Sequence, residues 1–466
     1  VGKALKPGMT LYYNKKIDLT KIKNKGKFLL NFGAVDQEAD VYINGKFVGN
    51  HKGGYFSFTF DITDFVKQDL SNVDLIVRVV DNLRENGEAY GKQANPRGNI
   101  YYIPTGGIWQ TVWIESVPVN YLKNVKMTPL YDEGKIQFEP ECIISNNKIL
   151  KKEKIKYIIT DKTGKKIAGE IPLTEKSLIE IPKPIYSWSP EEPNLYKVIF
   201  TFGEDIVSSY FAMRKFSIAE DNKNIKRLFL NNKPYFHIGV LDQGYWSDGY
   251  YTAPSDEAIK YDIMQMKEMG FNMLRKHIKI EPARFYYECD RIGMFVFQDM
   301  VNNGDYSYLL NTLLPMIWGQ KISDKYTKVK SETGRIFEKH CKDTIKYLEN
   351  FQSIVYYTVF NEGWGQYDSE RIVNELKETD ESRIYDGASG WYKQQGMYEE
   401  QFWIAGVHGD SSTIILSMPT TRENATTTQN GVYIKTFGDK SNRAVKTHRL
   451  KNEGIRATHH AWIWIQ

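Results

Sequence analysis

Over the first 217 residues hydrophobic and polar positions alternate with a period of two. Leu29-Leu30-Asn31-Phe32 is followed by Ala39, Val41 and Ile43 at every second position, and the run closes at Asn44-Gly45, the strongest short hairpin signal. Phe56, Phe58 and Phe60 alternate in the same way; Leu75 to Val80 and Trp109 to Ile114 predict further strands. Strands at this spacing, separated by Gly and Asp turns, predict β-sandwiches. A break near Val117-Pro118 divides a first sandwich over 1–117 from a second, smaller one over 118–217.

The period then changes. Ser255 is placed to cap a helix whose apolar residues Ile259, Ile263 and Met266 fall at i, i+4 and i+7, with Gly270 ending it and a short strand Phe271 to Arg275 following. The unit repeats as helix Pro282 to Ile292, Gly293 and strand Met294 to Gln298. Eight strands are expected at Phe236–Val240, Phe271–Arg275, Met294–Gln298, Ile354–Phe360, Arg383–Gly387, Ile404–His408, Tyr433–Phe437 and Ala461–Gln466. Strands alternating with helices make parallel sheet, and eight such units over 218–466 match a (β/α)8 TIM barrel, for which about 250 residues is typical. An open doubly wound sheet is the alternative, because Ile404 to Gln466 has little helical periodicity.

Barrel chemistry sits at the carboxyl ends of the strands. That rule selects Arg275, Lys276 and His277 after the second strand, Asp299 and Asn303 after the third, and Asn361, Glu362 and Trp364 after the fourth. His408 and Asp410 follow the sixth strand and Asp439 the seventh. Each has a plain structural alternative: a helix cap for Asp299 and Asn303, a hydrogen-bonding histidine for His408. Trp391, beside Gly390 in a loop, is a candidate aromatic wall, and Trp462 and Trp464 are either core or sugar floor. Asp36 and Asp61 sit at strand ends of the first sandwich and read as turn residues.

Composition narrows the classes. Of 466 residues 41% are hydrophobic and 26% charged, which excludes disorder, while the aromatic share of 14% is high enough to line a cleft as well as fill cores. No apolar run approaches the roughly 18 residues of a membrane helix, so a membrane protein is not expected. The three cysteines, Cys142, Cys289 and Cys341, form neither a disulfide framework nor a C-x-x-C zinc pair. The net charge of +5 is local: Asn146 to Lys166 holds eight lysines against Glu153 and Asp161. Its alternating Ile155, Tyr157 and Ile159, with a turn at Asp161-Lys162-Thr163-Gly164, predict a solvated hairpin rather than a nucleic-acid surface. No carboxylate cluster has Mg²⁺ or Ca²⁺ spacing, so neither metal nor other cofactor is expected.

The most informative run is Ile354 to Phe360, seven apolar or β-branched residues that deliver Asn361-Glu362-Gly363-Trp364 to the barrel rim. A carboxyl partly desolvated by aromatic neighbours has a raised pKa and suits general-acid work, and a cleft lined by Trp and Tyr suits a sugar ring. The alternative is that Glu362 caps the next helix, for which Asp368 is better placed.

Asn361-Glu362-Gly363-Trp364-Gly365 resembles the acid/base motif of glycoside hydrolase family 2, the family of β-galactosidases, β-glucuronidases and β-mannosidases. Phe32-Gly33-Ala34-Val35-Asp36 through Val41 to Gly45, and Gly53-Gly54-Tyr55 to Phe60-Asp61-Ile62, resemble its sugar-binding jelly roll. Thr105-Gly106-Gly107-Ile108-Trp109 resembles the exit from that domain, and Trp188 to Tyr196 a signature of its immunoglobulin-like sandwich. Leu230 to Pro234 with Gly239 resembles the barrel entry, and Arg275-Lys276-His277 the end of strand 2. The resemblance implies that Glu362 is the general acid/base and that Asn361 bonds the sugar 2-hydroxyl. It also implies a nucleophilic Glu after the seventh strand, usually in Gly-Glu-Phe-Gly-Gly. Here the matching stretch, Tyr433 to Ser441, has no Glu, and Asp439, 77 residues after Glu362, is the carboxylate available. The stretch Asp410 to Arg456 also lacks the expected aromatic, Gly-rich character. A weakened or inactive site and a sequence altered over this stretch both fit.

The reading is therefore a retaining exo-β-glycosidase, β-galactosidase-like, with Glu362 and Asp439 as catalytic pair. Asn361, Trp364, Arg275, His277, Asp299, Asn303, Trp391 and His408 are its candidate substrate contacts. The alternatives are a β-glucuronidase, a β-mannosidase or a non-catalytic carbohydrate-binding homologue. The expected partner is a carbohydrate, with neither nucleic acid nor membrane; a homo-oligomer is compatible with the architecture. The chain opens on Val1, which leaves the compartment open between periplasmic or secreted and cytoplasmic. For this family the length is short, and a fragment trimmed at both ends is expected.

Overall fold

The structure is a computed structural model describing residues 8–84, 87–96, 98, 101–145, 153–304, 324, 327, 329–361 and 364–389, with the backbone of Phe402–Ile404, Ile414–Pro419 and Ala461–Trp462. Two antiparallel sheets form the first sandwich. One holds Met9–Ile17, Val73–Asp81, Glu38–Ile43 and Lys46–Lys52 in that spatial order, the other Phe58–Asp61, Gly26–Phe32 and Val112–Pro118. The alternating residues meet between them: Leu30, Phe32, Val41, Ile43, Val77 and Val79 are buried together. Asn44 and Gly45 turn the hairpin with φ of 49° and 75°, the left-handed pair that such a two-residue loop requires. Asp61 plays the expected turn part, accepting from the Thr63 N–H at 3.1 Å. Asp36 does not lie on a surface turn: it is buried, and burial holds its carboxyl well above the usual range.

A second sandwich follows, its sheets built on Tyr121–Leu130 with Lys135–Ile143 and on Lys154–Thr160 with Tyr196–Phe202. The lysine-rich segment is the expected hairpin where it is described. Ile155 and Ile159 are fully buried, and Asp161 accepts the N–H groups of Thr163 and Lys165 at 2.8 and 3.0 Å.

Five strands then run parallel and adjacent: Ile238–Asp242, Met273–Lys276, Phe295–Asp299, Ile354–Asn361 and Ile384–Ser389. Helices Asp256–Glu268, Ala283–Ile292, Ser331–Leu348 and Ser369–Thr379 alternate with them, so this is the βα succession of a (β/α)8 barrel. Ser255 caps the first helix, its side chain accepting from Ala258 at 3.2 Å, and Gly293 ends the second at φ 82°.

The expectation of three further parallel strands does not hold for the described residues. Phe402–Ile404 pairs antiparallel with Ile414–Pro419, which pairs antiparallel with Ile238–Asp242; Ala461–Trp462 adds antiparallel to the same strand. Nine residues separate Ile404 from Ile414, and a parallel return needs a crossover of roughly a dozen or more. Tyr433–Phe437 lies outside the described residues.

The units are closely joined. Arg214, buried below the barrel, donates to the carbonyls of Gln352 and Ile354 at 2.9 and 3.1 Å. Trp188 donates to the Asp290 carbonyl at 2.8 Å. From the first sandwich, Tyr55 shares a 2.8 Å hydroxyl pair with Tyr251 of the barrel.

Candidate active site

Three neighbouring parallel strands bring their carboxyl ends together around Arg275. Its Nε donates to both oxygens of Asp299, at 2.9 and 3.2 Å, and its Nη2 to Asn361 Oδ1 and Ser389 Oγ, each at 2.9 Å. The strand register makes this possible: Arg275 lies opposite Phe297, and Asn361 opposite Ser389. A planar guanidinium can hold a carboxylate with one edge and an amide oxygen with another, which an ammonium cannot do with fixed geometry. Asn361 is thus oriented with its oxygen committed to Arg275.

Asp299 is fully buried. Burial works to raise its pKa, but the Arg275 charge and the His277 hydrogen bond outweigh it and leave the carboxyl below the usual range. His277 Nδ1 lies 3.2 Å from Asp299 Oδ2. Burial and then the nearby Lys92 ammonium push its pKa down to about 4, so the ring is neutral at physiological pH. The site floor is therefore one guanidinium–carboxylate pair with a neutral imidazole beside it.

A fourth ionisable group belongs to this cluster and was not singled out from the sequence. Asp386 faces the same side as Tyr356, whose hydroxyl donates to it. Burial raises its carboxyl to about 6, against the opposing pull of Arg275. Nothing in Arg383-Ile384-Tyr385-Asp386 marks the inward residue; only the register, which pairs Asp386 with Thr358, does so.

Asn303 is buried but turned away from this cluster, its amide donating to the carbonyls of Gly87 at 2.7 Å and Thr333 at 3.0 Å. It ties the first sandwich to the start of helix Ser331–Leu348. Trp364 is 4% exposed, its N–H closing a turn on the Asn361 carbonyl at 2.8 Å and its ring meeting Tyr101 edge-on at 5.7 Å. Lys276 points to the other face of its strand, where Asp242 and Glu281 each pair with it at 2.8 Å. The structure therefore brings Arg275, His277, Asp299 and Asn361 into one cluster, with Trp364 one turn beyond. Glu362, Trp391, His408, Asp410 and Asp439 lie outside the described residues.

Comparison with known sequences gives three successive matches. Residues 5–95 match the profile described as glycosyl hydrolases family 2, sugar binding domain; 120–214 match glycosyl hydrolases family 2; and 222–399 match its TIM barrel domain. A putative β-glucuronidase of Formosa agariphila is 27% identical over 301 residues, covering 62% of this chain and 34% of the relative. A β-galactosidase of Thermoanaerobacter pseudethanolicus is 25% identical over 308 residues, covering 62% of this chain and 39% of the relative. The chain thus spans little more than a third of the length of these curated relatives. Among solved structures, a Bacteroides uniformis β-glucuronidase superposes with a TM-score of 0.61 at 22% identity, covering 82% of this chain and 46% of that one. A Bacteroides fragilis protein titled a putative β-galactosidase gives 0.63 at 19% identity, covering 82% and 55%. At these identities the structural likeness speaks for the fold.

Proposed function

Since the chain belongs to the glycosyl hydrolases of family 2, we propose that it acts as a retaining exo-β-glycosidase on terminal β-linked sugars. The observation that carries this reading is the buried Arg275–Asp299–Asn361 cluster, which ends at the residue immediately before Glu362. In the proposed reaction Glu362 protonates the departing glycosidic oxygen while a second carboxylate attacks the anomeric carbon. Water deprotonated by Glu362 then displaces the enzyme and releases the sugar with retained configuration. Asp439 is proposed as the second carboxylate. Arg275 keeps Asn361 aimed at the sugar; Asp299 and neutral His277 offer hydrogen-bond partners for hydroxyls. Trp364, Trp391 and His408 complete the proposed substrate-facing set.

β-Galactosides are the first substrate class of this reading. β-Glucuronides are the second, supported by the relatives titled β-glucuronidase and by the Lys92 ammonium of the first sandwich, whose charge lowers the basicity of His277. Turnover of nitrophenyl β-galactoside, β-glucuronide and β-mannoside by the protein and by Glu362→Gln tests the reading. Loss of at least about 100-fold in the variant is expected, in line with the usual size of general acid–base catalysis. Unchanged turnover removes Glu362 from the mechanism. Sugar binding without turnover in the parent protein leaves a carbohydrate-binding protein on this scaffold.

A further inference from the structure

The segment that leaves the first sandwich after strand Val73–Asp81 and returns to it at Gly107 crosses onto the barrel rim, and its described residues are fastened there at several points. The N–H groups of Tyr90 and Gly91 donate to the Asn302 carbonyl at 3.1 and 3.4 Å. The Tyr90 hydroxyl donates to the Gly304 carbonyl at 2.8 Å, and the Asn303 amide donates back to the Gly87 carbonyl at 2.7 Å. Gln93, fully buried, ties the segment to itself: its amide donates to the Tyr90 carbonyl at 3.1 Å and its oxygen accepts the Thr105 N–H at 2.6 Å.

Arg84 sits at the centre. Its guanidinium carbon lies 4.4 Å from the ring centroid of Tyr90 and 4.8 Å from that of Tyr101, and its Nη2 donates to the Gln93 carbonyl at 3.1 Å. A guanidinium stacked against two rings fixes both, and one of them, Tyr101, meets the Trp364 indole edge-on at 5.7 Å. The two rim loops also touch: a Cβ placed on Gly304 would come within 3.0 Å of Gly365 Cα. Glu362 is therefore bracketed in the chain by Asn361, held by Arg275, and by Trp364, held from the first sandwich through Tyr101.

We propose that Arg84 and Tyr101 are positioning residues for the acid/base segment, so that the first sandwich acts in the proton-transfer step and not only in holding sugar. The inference rests on Glu362 as the general acid. A displacement near 1 Å of a catalytic group can cost on the order of 100-fold, so a loosened Trp364 registers in kcat. The effect also depends on the leaving group. A methyl glycoside needs protonation as it departs, whereas dinitrophenolate leaves as an anion and needs none.

The test compares Arg84→Ala and Tyr101→Ala on methyl and dinitrophenyl β-glycosides in the full chain, with Tyr101→Phe as the conservative partner. The expected result is a loss in kcat/KM, which reports glycosylation alone, on the order of 10- to 100-fold on the methyl glycoside and under about threefold on the dinitrophenyl one, whose kcat falls as well because water attack still needs Glu362 as base. KM on the methyl glycoside should stay within about twofold, and Tyr101→Phe, which keeps the ring edge, should restore most of the loss. Equal losses on both substrates accompanied by a lower melting temperature make the role structural and overturn the proposal. A raised KM at unchanged kcat makes it a sugar contact and overturns it too. Glu362→Gln, measured alongside, separates the two readings. If its loss in kcat/KM is indifferent to the leaving group, the assignment of the acid falls and takes this proposal with it. If it depends on the leaving group while Tyr101→Ala does not, only the positioning role falls.

Discussion

Arg275 is the residue on which the candidate site turns, because its guanidinium joins Asp299, Asn361 and Ser389. Arg275→Ala leaves the buried Asp299 carboxylate without its counter-charge; breaking such a pair costs about 3–5 kcal/mol, and calorimetric unfolding should show a loss of that order. Arg275→Lys keeps the charge but not the fork, so Asn361 loses its fixed orientation, and kcat should fall by about 10- to 100-fold with a smaller stability loss than in the alanine variant. Asp386 predicts a pH signature. Its folded pKa, near 6, is above the ordinary carboxylate value, so the stabilisation belongs to the protonated form. It is complete below the unfolded value near 4 and disappears as pH rises through about 6. Asp386→Asn should remove that fall: the melting temperature of the variant relative to the parent rises between about pH 4 and 7, whereas parallel curves would refute the burial argument. Arg275, His277, Asp299 and Asn361 were legible in the sequence because each stands where an apolar run ends, and a barrel puts chemistry there. Asp386 was not, because it lies inside its strand. Arg84 and Tyr101 were not, because their partner Trp364 is more than 250 positions away in the chain and no local period records it.

The helices and the first five barrel strands follow local rules, with informative departures. Phe236 was expected to open the first barrel strand, yet it is 50% exposed and the strand begins at Ile238. The backbone just before it is already engaged, Lys233 and Pro234 pairing with Leu230 and Phe229. Ser255 caps as expected, and Ser255→Ala should cost about 1 kcal/mol in thermal unfolding with turnover unchanged, since the cap is remote from Arg275. Asp368 stands at the start of helix Ser369–Thr379 but does not cap it. Its carboxylate takes the Arg371 guanidinium at 2.7 Å, and Asp324, 45 residues upstream, accepts the Ser369 N–H at 3.3 Å. A cap supplied from a distant segment leaves no mark beside the helix. The strands described at the sixth and eighth expected positions, Phe402–Ile404 and Ala461–Trp462, depart in direction for a different reason: without helical periodicity beside them, short apolar runs do not reveal parallel or antiparallel pairing.

At the scale of the molecule, two sandwiches and a barrel share buried polar joints rather than flexible links. Arg214 is a buried cation among them. Burial lowers its pKa to about 9, so it stays cationic at neutral pH while donating to Gln352 and Ile354. Arg214→Met removes the guanidinium from the Gln352 carbonyl and leaves the Ile354 carbonyl to Arg383, which donates to it at 3.2 Å; the loss is about 1–3 kcal/mol, and scanning calorimetry should show the barrel unfolding earlier. A melting profile identical to the parent's would mean that the joint is not coupled to barrel stability. Cleavage of β-glycosides with retention at this barrel rim is the proposal these joints serve. Following hydrolysis of nitrophenyl β-galactoside and β-glucuronide by proton NMR over the first turnovers tests it most directly. The β-anomer should appear first and mutarotate only later. Release of the α-anomer first, or no sugar from either substrate, would contradict it.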